Sequence, residues 1–378
     1  MTQKQKESIT LVAVGDVSPN RDDPPSIFRH CGDVFRKADI VFGQLESPLS
    51  DRGTGVFIYH APCRLGAKNI SALTKEGADF DVMSFAGNHS MDYGWEAFYD
   101  TLDALKKNNI AVVGAGRNIQ EARKPAILER KGTKIGFLSY LTIVVPGLTA
   151  TDKVPGCAPL QATTAYQPID PRPGAPPVVI TQLFPEDREA MEADIRKLRP
   201  QVDVLVVCHH TGVTHVPVVI ATCQKEGAYA AIDAGADLVI QHHAHILKGI
   251  EVYKGKAIFY GTNHFCIEHG LASAPTYRAG RMEAWDPGYV KASAQIYARY
   301  RRRGYHFRTM VVKAVIQDKK IQKVSFIPAY INSNREPEVL TRQDPRAQEV
   351  FDYVKEISED EDLKVKLSWD GDEVVIGT

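Results

Sequence analysis

Two stretches decide the fold: VDVLVVCHHTG at 202–212 and ADLVIQHHAHI at 236–246. Each opens as a short run of aliphatic and β-branched residues, the pattern of a strand buried on both faces, and each runs directly into histidines. Working outward, the same pattern recurs in ITLVAV (9–14), DIVFG (39–43), DVMSFA (81–86), IAVVGA (110–115), KIGFLSY (134–140) and KAIFYG (256–261). Between these runs lie stretches with helical spacing. Trp95, Phe98, Leu102 and Leu105 are expected on one helix face, as are Met191, Ile195 and Leu198 of a segment opening at Pro185. Strands alternating with helices predict an α/β sheet covered by helices.

In open α/β sheets, ligands bind beyond the carboxyl ends of the strands, and the chemically able residues of this chain sit there. Asp16 follows the first run in VGDVS, Glu46 the second in GQLES, and Asn88 and His89 lie in FAGNHSMD. His209 and His210 close VVCHHTG, while His242, His243 and His245 lie in QHHAHI. Each has an ordinary reading taken singly: an Asp after a strand is often a helix N-cap, an Asn often a turn residue, a buried His often hydrogen-bonded core. Together they read as a metal centre, because burying His243 and His245 side by side costs several kcal/mol unless a cation or an acid compensates (order of magnitude). Hard oxygen donors mixed with imidazoles suit Mn, Fe, Zn or Mg, and the absence of a cysteine cluster argues against a structural zinc site.

The 378 residues carry 46 basic and 46 acidic side chains, 44% hydrophobic residues and no net charge. That composition excludes disordered, collagen-like and disulfide-scaffold classes, and it gives no global attraction to nucleic acid. Six scattered cysteines, Cys31, Cys63, Cys157, Cys208, Cys223 and Cys266, are expected as reduced thiols. With no apolar run near the roughly 20 residues of a transmembrane helix and no signal-peptide pattern, a cytoplasmic protein is expected. One catalytic domain over 1–332 is anticipated, with a Pro/Gly-rich lid at 145–177 and an Arg- and Tyr-rich insertion at 264–308. That insertion reads either as a site for an anionic or aromatic group or as a solvated basic face. Residues 310–331 predict a hairpin turning at Gln317 to Lys320, and 333–378 a helical extension packed on the same domain.

The order Asp, Glu, Gly-Asn-His, His, His-x-His resembles the calcineurin-like metallophosphoesterase superfamily, and within it the CapA branch, named for poly-γ-glutamate capsule synthesis. The resemblance rests on GDVS with Arg21 following, ADIVFGQLESPL, FAGNHSMDYGWEAFYDTLDALKKNNIAVVGAGRNIQEARKP, VDVLVVCHHTG and AAIDAGADLVIQHHAHILKGIEVYKGKAIFYGTNHF, and it covers most of residues 9–265. It implies a four-layer α/β sandwich with two divalent metal ions, Mn, Zn or Fe, at the sheet edge. Asp16 and His245 would hold the first, Glu46 would bridge, and Asn88, His209 and His243 would hold the second. His89 matches the general acid, with Asp92 either orienting it or fixing the helix start. Where the superfamily has Asp-x-His, this chain has Ser18, so the first metal has one imidazole fewer. Gln241 stands where Gly is usual, and His210 where an aromatic is usual. Gly261-Thr262-Asn263-His264-Phe265 replaces Gly-Asn-Phe, which makes His264, with His210, a further acid or base candidate.

The resemblance implies a metal-dependent hydrolase of a peptide-like or phosphorylated substrate, a phosphoester or an amide such as a γ-glutamyl bond, attacked by a hydroxide shared between two cations. Two other readings stay open: a metal-dependent peptide epimerase using paired histidines such as His89 and His264, and a non-catalytic component of poly-γ-glutamate capsule synthesis. Oligomeric state is left open.

Overall fold

Strand Ile9–Ser18 is buried along nearly its whole length on both faces, so it must lie inside a sheet with layers above and below. In the computed structural model, which describes residues 7–56, 62–168, 170, 172, 177–268 and 305–377, it is the centre of a ten-stranded sheet. Ile40–Leu45, Val82–Ser84 and Ala111–Val113 follow it in parallel on one side. The antiparallel strands Arg308–Gln317 and Lys320–Ile331 lie on the other. Asp318 and Lys319, both at positive φ, form the two-residue turn of that hairpin, as hairpin twist requires. A second, six-stranded sheet has Thr133–Leu141, Val204–His210, Leu238–His242 and Lys256–Phe259 in parallel, closed at its edges by the antiparallel strands Ala126–Arg130 and Ile250–Tyr253.

The two sheets face each other across one apolar layer. Leu11, Ala13 and Phe42 of the first pack with Phe137, Val206, Cys208 and Ile240 of the second, and the Phe42 and Phe137 rings stack at 5.6 Å. Helix Gly94–Lys107 covers the outer face of the first sheet, and helices Pro185–Leu198 and Thr222–Ala234 that of the second. The result is the expected helix, sheet, sheet, helix sandwich.

Four expectations are corrected or bounded. Trp95 does not share the core face of its helix: Ala97, Phe98, Thr101 and Leu105 are buried, while Trp95 is 52% exposed. The segment expected as an unstructured lid contains strand Ala162–Pro168, paired antiparallel with Pro177–Leu183 in an exposed hairpin. The C-terminal stretch is more than helical. After helix Pro345–Asp360, capped by Asp344 at its N-terminus, strands Lys366–Asp370 and Glu373–Gly377 pair with each other and extend the first sheet. Most of the Arg- and Tyr-rich insertion, residues 269–304, lies outside the described residues.

Candidate metal centre

Because the parallel strands of both sheets end at one edge, residues far apart in sequence meet there. Asp16 is near the end of its strand, its amide donating to the Asn263 carbonyl at 3.1 Å. That approach needs Gly15, whose absent Cβ would lie 1.8 Å from the same oxygen. Glu46 follows strand Ile40–Leu45 and is held by its amide bonding Val17 O at 3.0 Å. Asn88 and His89 sit in a tight reversal after Val82–Ser84, closed by Ser90 Oγ donating to Phe85 O at 2.6 Å and accepting from Gly87 N at 3.1 Å. His210 ends strand Val204–His210, and His243 and His245 follow strand Leu238–His242.

Glu46 lies between two groups. Its Oε2 is 3.8 Å from His210 Nε2; its Oε1 is 3.7 Å from His245 Nε2 and 4.0 Å from His89 Nε2. On one side, His245 Nδ1 is 3.7 Å from Asp16 Oδ2. On the other, His210 Nε2, His243 Nδ1 and Asn88 Oδ1 converge within 2.8–3.1 Å of one another. His243 and His245 take positive φ, 86° and 53°, an unusual conformation for side-chain-bearing residues that tends to mark functional sites.

The electrostatics call for a cation. All four carboxylate oxygens of Asp16 and Glu46 are buried without a hydrogen-bond partner, and among the described residues only imidazoles lie within ion-pair distance of them. Burial pushes Asp16 up to about 8. Burial, then the charges of Asp16 and Asp92, push Glu46 well above the usual carboxylate range. Burial and neighbouring imidazoles hold His210 and His245 well below the usual histidine range, so both are neutral donors at pH 7. Asp16, Glu46 and His210 each offer a ligand atom within 4.8 Å of the others, a donor set that fits a divalent cation, with His245 beside the carboxylates and His243 and Asn88 beside His210.

His209, expected as a ligand, is not at this edge. It points to the opposite face of its strand, toward helix Thr222–Ala234, where Gln241 Nε2 lies 3.4 Å from its Nδ1 and the Tyr140 ring meets it edge-on at 6.3 Å. Its neighbour His210, expected only as an acid or base, is the histidine that lies with Asp16, Glu46, Asn88 and His243. Asp92 accepts from Cys63 N at 2.7 Å and pairs with His89 Nδ1 at 2.6 Å, while the helix beginning at Gly94 has no side-chain cap. The geometry therefore favours the orienting role over the helix-start role. The His264 ring lies 6.0 Å from that of His245, beside the Asp16 side of the cluster.

Two neighbours were missed. His215 stacks on His245 at 5.4 Å and 19°; its place five residues beyond His210, on the same loop out of the strand, was the available signal. Cys63 Sγ lies within 4.8 Å of ligand atoms of His89 and Asp92, and nothing in its surrounding sequence marks it.

A sequence model of the bacterial capsule synthesis protein PGA_cap matches residues 10–267. The chain is 29% identical over 255 residues to the PGA biosynthesis protein CapA of Bacillus subtilis (strain 168), a match covering 65% of this chain and 57% of that protein. It is 27% identical over 278 residues to the capsule biosynthesis protein CapA of Bacillus anthracis, covering 71% and 62% respectively. The matches therefore span less than two thirds of these curated relatives. Among solved structures it is similar to a hypothetical protein from Thermus thermophilus, at TM-score 0.45 and 13% identity over 85% of this chain and 98% of that one. It is also similar to the calcineurin-like phosphoesterase YfkN from Bacillus subtilis, at TM-score 0.42 and 12% identity over 94% and 98%.

Proposed function

Because the chain belongs to the bacterial capsule synthesis protein family, we propose that it is a metal-dependent hydrolase of that family, cleaving a phosphoester or an amide. The observation that carries this reading is the pair of buried carboxylates, Asp16 and Glu46, whose four oxygens lack partners and which lie among His210, His245 and His89. When bound, two cations would polarise the scissile group and supply a nucleophile at neutral pH by acidifying a water.

The rest of the chemistry belongs to the chain. Asp92 takes the Nδ1 side of His89, which leaves Nε2 facing Glu46 and the reacting group. A proton carried at that Nε2 is delivered to the leaving group, a step worth typically about 10² to 10⁴ in rate. Tight burial of Asp16, Glu46 and His210 keeps bulk water from competing with the substrate. The two Bacillus relatives are named for capsule and PGA biosynthesis, which makes a γ-glutamyl amide the first amide to assay.

The test is elemental analysis of protein loaded with Mn or Zn, then assays on bis-p-nitrophenyl phosphate, on a γ-glutamyl peptide, and on the same peptide in deuterated water. Glu46→Ala is expected to lose most of the bound metal; unchanged content would refute its bridging position. Phosphodiester or amide cleavage supports the hydrolase. Deuterium uptake without cleavage replaces it with the epimerase, and metal binding without turnover with a non-catalytic role.

A further inference from the structure

The edge that carries the metal cluster also carries a pocket of about 160 Å³, bounded by the start of helix Gly94–Lys107 and the loop at 145–148. Asn88 and Asp92 line it, and Asn88 also belongs to the cluster with His210 and His243, so the pocket borders the candidate metal centre. The rest of its wall is largely apolar: Val56, Met91, Trp95, Val145, Pro146 and Leu148.

Two of these side chains are more exposed than most large hydrophobic residues among the described residues. Trp95 is 52% and Val56 43% exposed, among the few large hydrophobic residues exposed in the described chain. The core contact of the helix is made by Phe98 and Leu105, so Trp95 does not serve packing. A clustered, exposed tryptophan bordering a concave site is the usual anatomy of a ligand pocket: apolar walls with a few polar groups at one end. The volume is also in range, since a cavity of about 150 Å³ accepts benzene.

Charge narrows the occupant further. Among the described lining residues there is no lysine or arginine, and Asp92 and Asn88 are the polar groups. The neighbouring guanidinium groups are engaged elsewhere: Arg52 pairs with Asp100, and Arg64 stacks on the Tyr93 ring at 4.5 Å. A free carboxylate entering here would meet apolar walls and Asp92, a desolvation cost with no compensating partner.

We propose that this pocket is a substrate subsite beside the metal centre and takes an uncharged aromatic or branched-alkyl group, so that the substrate is a metal-bound ester or amide carrying an apolar group next to Asn88. The assignment rests on the metal-hydrolase reading, because Asn88, a candidate metal ligand in that reading, lines the pocket. Trp95 and Val56 would be covered by the substrate, with Gly147, at φ 89°, letting the 145–148 loop turn beside them.

Binding rather than turnover tests it. The Mn-loaded full chain is titrated calorimetrically with methylphosphonate and with phenylphosphonate, two anions that bind metal alike and differ in the apolar group. Phenylphosphonate is expected to bind about tenfold or more tightly, from the ring area buried. In Trp95→Ala that ratio is expected to fall toward one, and phenylphosphonate is expected to quench tryptophan fluorescence in the wild type but much less in the variant. Equal affinities in the wild type, or a ratio unchanged by Trp95→Ala, overturn the subsite while leaving the metal centre standing. If the protein holds no metal or binds neither phosphonate, the metal-hydrolase reading falls and takes the subsite with it.

Discussion

Adjacent residues on an extended strand point to opposite faces, so single replacements of His209 and His210 are expected to separate cleanly. His210→Ala removes a donor that converges with His243 and Asn88 and should lower bound metal, read by plasma emission after loading and desalting. His209→Ala should leave metal content unchanged and instead open a cavity under helix Thr222–Ala234, destabilising by about 1–3 kcal/mol in urea titration. Equal metal loss in both variants would contradict the assignment. This is also where the sequence ran out. Both faces of VDVLVVCHH are apolar and buried, so no alternation of polar and apolar residues says which histidine faces the space between the sheets. Asp16, Glu46, Asn88, His243 and His245 could be assigned to this edge because each follows a recognisable apolar run, even though His242 directly precedes His243 and His89 directly follows Asn88.

At the scale of elements, the loop after strand Val204–His210 carries backbone strain. His215 and the β-branched Val218 both take positive φ, 60° and 63°. What holds it is Lys248, fully buried, whose Nζ donates to Val219 O at 2.9 Å and to Val216 O. Burial pulls this lysine from its ordinary 10.5 down to about 7, against the charge of Glu361. Between those two values the unfolded chain binds more protons than the folded one, so this group makes stability rise with pH through the window. Comparing wild type with Lys248→Met in urea from pH 7 to 8.5, below the ordinary thiol range, should show an upward slope of stability in the wild type that is smaller in the variant. Parallel slopes would contradict it. None of this was readable beforehand, since a lysine in HILKGIEV reads as a solvated turn and its carbonyl partners lie some 30 residues away. The β-hairpin at 162–183 was missed for a related reason: its strands are largely exposed, so they lack the continuous apolar run by which the core strands were found.

At the scale of the whole molecule, the sandwich was legible because eight apolar runs alternate with helical spacing, whereas the C-terminal strands were not. KLSWD does alternate, with Leu367 and Trp369 half-buried between exposed Lys366, Ser368 and Asp370, but so short an alternation is a weak signal inside a stretch expected to be a helical extension. Yet Val350, Tyr353, Val354, Ile357 and Val374 belong to the same apolar layer as Leu11 and Phe42. Deleting residues 341–377 should therefore remove burial worth about 1.5–3 kcal/mol per large side chain, comparable in sum with the 5–15 kcal/mol by which a domain is typically stable. The expected result is loss of a cooperative thermal transition and strong dye binding to exposed apolar surface; an unchanged melt would show that the tail is dispensable. No described helix is long and apolar enough to cross a membrane. Asp16, Glu46 and Asn88 come from the first sheet, and His210, His243 and His245 from the second. Any ion seated among them is therefore also a rivet through both halves of the sandwich, and whatever strips it out unfastens the layers as well as silencing the chemistry.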